Sequence, residues 1–129
     1  MKPKWHFTIV DDDAHMLYFF EHALSGVFPE SEITRFDDGT EALDFIRREG
    51  ADLLVTDHRM ARMSGADLIR ELRALGFNLP IIMVSSSPDA QAEGAAAGAT
   101  VFITKENVLK RLPSIASDLL EVGLPSRAR

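Results

Sequence analysis

The strongest constraint on this chain is a set of short apolar runs, each followed by a stretch of helical periodicity. Leu53-Leu54-Val55-Thr56 and Ile81-Ile82-Met83-Val84 show no apolar–polar alternation. Runs this short and this uniformly apolar are strands covered on both faces. Trp5 to Val10 and Val101 to Thr104 read the same way, and Ser31 to Phe36 is a short alternating strand. Between them apolar residues return at helical spacing: Leu17, Phe20, Leu24, Val27 and Phe28, then Leu68, Ile69, Leu72 and Leu75, and finally Leu112, Ile115, Leu119 and Val122. Thr40 to Glu49 is a helix with Gly50 as its C-terminal stop, and Gly76 stops the next one. An Ala-rich helix containing Gly94 follows Ser87-Pro88, which reads as an N-cap with proline at the first helical position. Pro113 is expected in the first turn of the last helix, because deeper inside it would remove a backbone bond and clash.

The pattern is strand–helix repeated five times. Right-handed crossovers turn it into an α/β fold, a doubly wound, five-stranded parallel sheet. One domain is expected over residues 4–122, with residues 123–129 as a short, polar, disordered tail. No apolar run approaches the roughly 20 residues of a membrane span. The opening Met1-Lys2-Pro3-Lys4-Trp5 leads into a run too short and too quickly acidic for a signal peptide. The chain has no cysteine, which excludes disulfides and thiolate metal sites. A net charge of −6 argues against gripping nucleic acid through its phosphates. The expectation is a cytoplasmic protein that binds neither membrane nor nucleic acid directly.

In doubly wound folds ligands sit beyond the carboxyl ends of the strands. Asp11, Asp12 and Asp13 follow the first strand, Asp57 ends the third, Ser85 follows the fourth and Lys105 ends the fifth. Any one of these alone has an ordinary explanation. A strand-end aspartate is usually a turn residue or a helix cap, and that reading is taken for Asp13 and for Asp37-Asp38-Gly39. A lone lysine is usually a solvated charge. Convergence from four strands is what overturns the separate readings. Asp11, Asp12 and Asp57 would repel one another unless a cation intervened. Mg²⁺ takes one or two carboxylates, keeps several waters and binds phosphate oxygens. Lys105 and the Ser85 hydroxyl could hold the oxygens of a phosphoryl group, leaving one carboxylate free as a nucleophile. His6, His15, His22 and His58 show no metal-ligand spacing.

Val10-Asp11-Asp12-Asp13, Asp57 followed by Met60, Met63 and Gly65, Val84-Ser85-Ser86, and Phe102-Ile103-Thr104-Lys105 resemble the motifs of bacterial response-regulator receiver domains. The resemblance runs from about Lys4 to Val122. It implies the flavodoxin-like (βα)5 strand order 2-1-3-4-5 and a phosphoacceptor switch in a two-component phosphorelay. Asp57 would accept phosphate from a sensor histidine kinase or phosphotransfer protein. Asp12 would touch Mg²⁺ (or Mn²⁺) directly, Asp11 mainly through water, and Arg59 through its backbone carbonyl. Ser85 and Phe102 would form the switch, and Lys105 would pair with the phosphoryl group. Ser86 is small enough to keep the acceptor reachable, and Arg59 and Ser87 would tune the phosphoryl lifetime. Output would pass to a downstream protein target, with the face of the fourth helix, fifth strand and fifth helix open to a second copy.

The chain departs from the family pattern at three places. Glu106 stands where proline often follows the lysine, Ala61 replaces another frequent proline, and Phe102 lacks the commoner tyrosine's hydroxyl. Without proline a cis bond between Lys105 and Glu106 would cost about 2.5–4 kcal/mol, so a trans bond is expected, with a changed path for Glu106 to Arg111. Two other functions compete with this one. A phosphatase of the haloacid-dehalogenase type needs a second aspartate two residues after the nucleophile, where this chain has Arg59. A scaffold that is never phosphorylated would have no use for the full acidic pair, acceptor, hydroxyl and lysine. The chain is expected to catalyse nothing beyond its own phosphorylation and dephosphorylation.

Overall fold

The computed structural model describes residues 4–120. Val122 and the tail at 123–129 lie outside the described residues. Strands and helices alternate throughout: β1 (His6–Val10), α1 (Ala14–Val27), β2 (Glu32–Phe36), α2 (Gly39–Glu49), β3 (Leu53–Asp57), α3 (Gly65–Ala74), β4 (Ile81–Ser85), α4 (Ala90–Ala97), β5 (Val101–Thr104) and α5 (Val108–Leu120). A 3-10 turn, Lys105–Asn107, joins β5 to α5. The strands form one parallel sheet in the order β2-β1-β3-β4-β5. The order reverses at β1 and β3, which makes their carboxyl ends the topological switch point.

Side chains on a strand point alternately to opposite faces, so an unbroken apolar run feeds two cores at once. Phe7, Ile9, Leu53, Val55, Ile82, Val84 and Ile103 pack with Leu17, Phe20 and Leu24 of α1 and Val108, Leu112 and Ala116 of α5. Val10, Leu54, Ile81 and Met83 face the other way, onto Ala42 and Ile46 of α2, Leu68, Ile69 and Leu72 of α3, and Ala90 and Ala97 of α4. Each large apolar side chain fully buried this way contributes about 1.5–3 kcal/mol. β2 lies at the sheet edge and is only partly covered, which is why its run alternates.

Two sequence expectations about helix starts are corrected. Ser87 does not cap α4: the helix begins at Ala90 after Asp89, and the Ser87 carbonyl instead accepts the Ala90 N–H in a turn. The Ala90 N–H that a capping Ser87 hydroxyl would receive is already taken by that carbonyl, while the Ser87 N–H goes to the Ser85 hydroxyl at 3.1 Å. Pro113 is not in the first turn of α5 but well inside it. The buried seam of Val108, Leu112, Ala116 and Leu120 carries the helix from Val108 onward, so one lost backbone bond is outweighed by four buried anchors. That bond would have gone to the carbonyl of Leu109, a residue at the exposed surface. The Lys105–Glu106 bond agrees with expectation, since no cis peptide occurs among the described residues. In place of a loop from Glu106 to Arg111, the chain passes directly from the 3-10 turn into helix.

At the amino end of the sheet Arg73 of α3 ties three segments together. Its guanidinium donates to the carbonyls of Phe77 at 2.9 Å and Leu79 at 2.8 Å, and twice to that of Gly98 at 3.0 and 2.9 Å. Bonds to a charged donor contribute about 1.5–3 kcal/mol each, and carbonyls left unpaired in partly buried surroundings add a penalty. We expect Arg73→Ala to destabilise the fold by about 3 kcal/mol, read as a lower urea midpoint at unchanged slope. A midpoint equal to wild type would contradict this.

Candidate functional site

The register of the sheet decides which side chains meet. Val10 of β1 pairs with Thr56 of β3, so the next residues, Asp11 and Asp57, emerge side by side. Asp57 in turn pairs with Val84 of β4, and Ser85 pairs with Thr104 of β5, which sets Ser85 and Lys105 one step beyond. Asp11, Asp57, Ser85 and Lys105 therefore reach one crest without any bulge in a strand.

Asp11 and Asp57 are buried and Asp12 is exposed. One carboxylate oxygen from each can be chosen so that all three lie within 4.8 Å of one another. Asp11 Oδ1 accepts the Asp13 N–H at 2.9 Å. Asp11 Oδ2 is buried with no hydrogen-bond partner among the described residues. Lys105 Nζ stands 3.7 Å from that oxygen and 3.4 Å from Asp57 Oδ1. Burial pushes the Asp11 carboxyl up to about 7, with the neighbouring Asp57 adding to the rise and the Asp13 N–H and Lys105 opposing it. Asp57 is raised for the same first cause, desolvation, against the pull of Lys105. A single lysine is thus too little positive charge for this crowd of carboxylates.

The loop after β3 is held by contacts of its own. The Thr56 hydroxyl donates to the Asp57 carbonyl at 2.8 Å. Gly65 donates its N–H to the His58 carbonyl at 2.7 Å. A Cβ on Gly65 would strike the Asp57 carbonyl oxygen and come within 2.9 Å of His58 Cα, so only glycine lets α3 start this close to the acceptor. Arg62 pairs with the buried carboxylate of Asp38, whose other oxygen accepts the Thr40 N–H at 2.9 Å. That bridge fastens the loop to the start of α2. The cap reading of Asp38 from sequence holds, but its ion pair has no local signature, because the partner is 24 residues away.

The remaining sequence-assigned residues lie around this cluster. Ser85 is buried, and its hydroxyl accepts the Ser87 N–H. Arg59 and Ser86 are exposed and Ser87 is half-buried. Phe102 is half-buried beside Met83, packed against the core beneath α3 and α4. His58, which sequence reading left without a role, is buried between α3 and α4.

Comparison with known proteins identifies the family and the fold. A family model described as "Response regulator receiver domain" matches residues 7–117. The chain is 33% identical over 122 residues to the response regulator MprA of Mycobacterium tuberculosis, covering 93% of this chain and 52% of that protein. The MprA of Mycobacterium leprae is 32% identical over 121 residues, covering 92% and 52%. The chain therefore spans about half the length of the curated relatives it matches. Among solved structures, the chemotaxis protein CheY4 of Vibrio cholerae superposes with a TM-score of 0.80 at 26% identity, covering 91% of this chain and 99% of that one. The phosphorylated cyanobacterial phytochrome response regulator RcpA superposes at 0.82 with 20% identity, covering 95% and 99%, and supports the fold alone.

The raised Asp11 carboxyl has a consequence for stability in metal-free solution. Its folded value of about 7 exceeds the ordinary 3.8, so the unfolded chain ionises first as pH rises. Stability is then greatest below about pH 4 as far as this group is concerned, and falls as pH climbs to about 7. The loss is on the order of a few kcal/mol. In EDTA, Asp11→Asn should flatten much of that slope, leaving what Asp57 contributes, and should be more stable than wild type at pH 8. Urea titrations at pH 5 and pH 8 measure it; parallel slopes for the two proteins would contradict it.

Proposed function

The chain belongs to the response regulator receiver domain family, and on that premise we propose that it is a phosphoacceptor switch phosphorylated on Asp57. The observation that carries the reading is a buried acceptor carboxylate with Lys105 Nζ 3.4 Å from one of its oxygens. An oxygen of Asp57 attacks the phosphorus of a phosphohistidine presented by a sensor histidine kinase or phosphotransfer protein. The bond from phosphorus to the imidazole nitrogen breaks, and the imidazole leaves with its electron pair. Lys105 and the Ser85 hydroxyl receive the phosphoryl oxygens, and water later cleaves the acyl phosphate. The chain promotes these two steps on itself and acts on no other substrate.

The donor set fits a hard divalent cation. Carboxylates are the ligands Mg²⁺ and Mn²⁺ prefer, and the Asp11 oxygen without a hydrogen-bond partner has only Lys105, 3.7 Å away, as a positive neighbour. Asp11, Asp12 and Asp57 would hold the ion, joined by the backbone carbonyl of Arg59. When bound it would supply the charge that lets an anionic carboxylate approach an anionic phosphoryl group.

Signalling then follows from Ser85. Its hydroxyl turns toward the phosphoryl group, and the Phe102 ring turns in behind it. The ring starts half-buried beside Met83. Arg59, exposed beside the acceptor, and Ser87 govern how readily water reaches the acyl phosphate, with Ser86 keeping the way open. The output is a protein partner, or a second copy, docking on the face formed by α4, β5 and α5.

Acetyl phosphate with Mg²⁺ should label the wild-type protein, and both Asp57→Asn and EDTA should abolish the label, as read by gel shift or intact mass. Labelling of Asp57→Asn at unchanged stoichiometry would overturn the assignment. Mg²⁺ should also raise the melting temperature. A ligand at about 100 times its dissociation constant contributes roughly 2.7 kcal/mol, and Asp12→Ala should lose most of that gain. An equal rise in the variant would remove Asp12 from the site.

A further inference from the structure

Lys105 reaches the crest from a turn, not from a strand. The turn, Lys105–Asn107, contains no buried residue. It spans the gap between Ile103, fully buried in β5, and Val108, the first buried residue of α5. β5 lies at the sheet edge, so only β4 supports it from the side. The lysine side chain is a flexible aliphatic stem. Where its ammonium rests therefore depends on how firmly the backbone beneath it is held.

Two hydrogen bonds close the turn. The Val108 N–H donates to the Lys105 carbonyl. The Asn107 side-chain amide donates to the Thr104 hydroxyl at 2.7 Å. A threonine ahead of a helical turn commonly caps a backbone N–H, but this hydroxyl caps none and is given to Asn107 instead. Thr104 is itself fixed, because it pairs with Ser85 across β4 and β5. Asn107 thus ties the far side of the turn back to the sheet, with Lys105 and Glu106 inside the tie. Glu106 brings no proline ring to stiffen the segment, which leaves that task to the side-chain bond. From this turn the Lys105 ammonium stands 3.4 Å from Asp57 Oδ1 and 3.7 Å from Asp11 Oδ2.

We infer that Asn107 is a positioning residue: through its bond to Thr104 it holds the Lys105–Asn107 turn so that the Lys105 ammonium stays beside the acceptor carboxylate. The tie stands on geometry alone; its effect on phosphorylation rests on the functional reading above. A side-chain hydrogen bond of this kind corresponds to about a two- to tenfold effect. The effect has a signature that general damage to the crest lacks. A loosened Lys105 receives phosphoryl oxygens less well, so phosphorylation slows. It also repels an incoming cation less, so the carboxylates bind Mg²⁺ no less tightly than before.

The test uses the whole chain as wild type, N107A, T104V and T104S. T104V removes the partner hydroxyl without touching the residue that leads into α5, and T104S keeps it. Without phosphodonor or metal, hydrogen–deuterium exchange at the Val108 amide, read by NMR, should be about two- to tenfold faster in N107A and T104V. T104S should stay near wild type. With acetyl phosphate and Mg²⁺, the initial labelling rate of N107A and T104V should fall by a similar factor. Mg²⁺ affinity, read by isothermal titration calorimetry, should stay the same or rise. The double variant should label no more slowly than either single one, because both remove the same bond. Unchanged Val108 exchange, or T104S behaving as T104V, would overturn the tie. Slower labelling in N107A but not in T104V would assign the effect to the start of α5 and overturn it too. Faster exchange with unchanged labelling, or a Mg²⁺ affinity that falls together with labelling, would overturn the positioning role. Wild type that takes no label would overturn that role together with the functional reading, while the exchange result would still decide on the tie.

Discussion

Everything at the crest depends on the pairing of β1 with β3. Because Val10 stands opposite Thr56, two carboxylates arrive together in a place where both are shut off from water. Neither burial nor mutual repulsion favours that outcome, and it persists because the two strands are locked by core residues on both faces. A slip of one residue would turn every one of those apolar side chains to the wrong face. The hydrophobic layers thus hold the acids where they are electrostatically uncomfortable, and a cation at the crest would relieve that discomfort.

That these side chains would meet at one crest was legible because they stand at strand ends, which announce themselves where an apolar run stops at a polar residue. Asp11, Asp57, Ser85 and Lys105 could each be placed that way. Capping was legible where the side chain and its backbone partner are two residues apart, as at Asp13 and Asp38. It failed at Ser87 because the Ala90 N–H that its hydroxyl would have to accept goes to its own carbonyl instead. Pro113 misled for a different reason. A local rule about proline was outweighed by a buried seam that only the packed α1–α5 layer creates.

What stayed hidden in the sequence is long-range and polar. Arg62 with Asp38 and Arg73 with Gly98 join residues 24 and 25 positions apart, and no periodicity marks such pairs. Hydrophobic pattern specifies which elements form and which face they bury, while these few contacts fix how the loops and helix ends lean on one another. The comparisons reach the family, and the long-range contacts give this chain its own mechanical character within it.

α4 touches the protein almost entirely through alanine and glycine, and its outer positions, Gln91, Ala92, Ala95 and Ala96, are exposed. Substitutions there disturb little packing, since surface changes away from caps and buried contacts usually stay within about 0.5 kcal/mol. The outer face of this helix can therefore be rewritten over evolutionary time without endangering the fold, whereas α3 and α5 are tied down by their large buried residues. A lineage carrying this scaffold could vary that face while inheriting the acidic crest untouched.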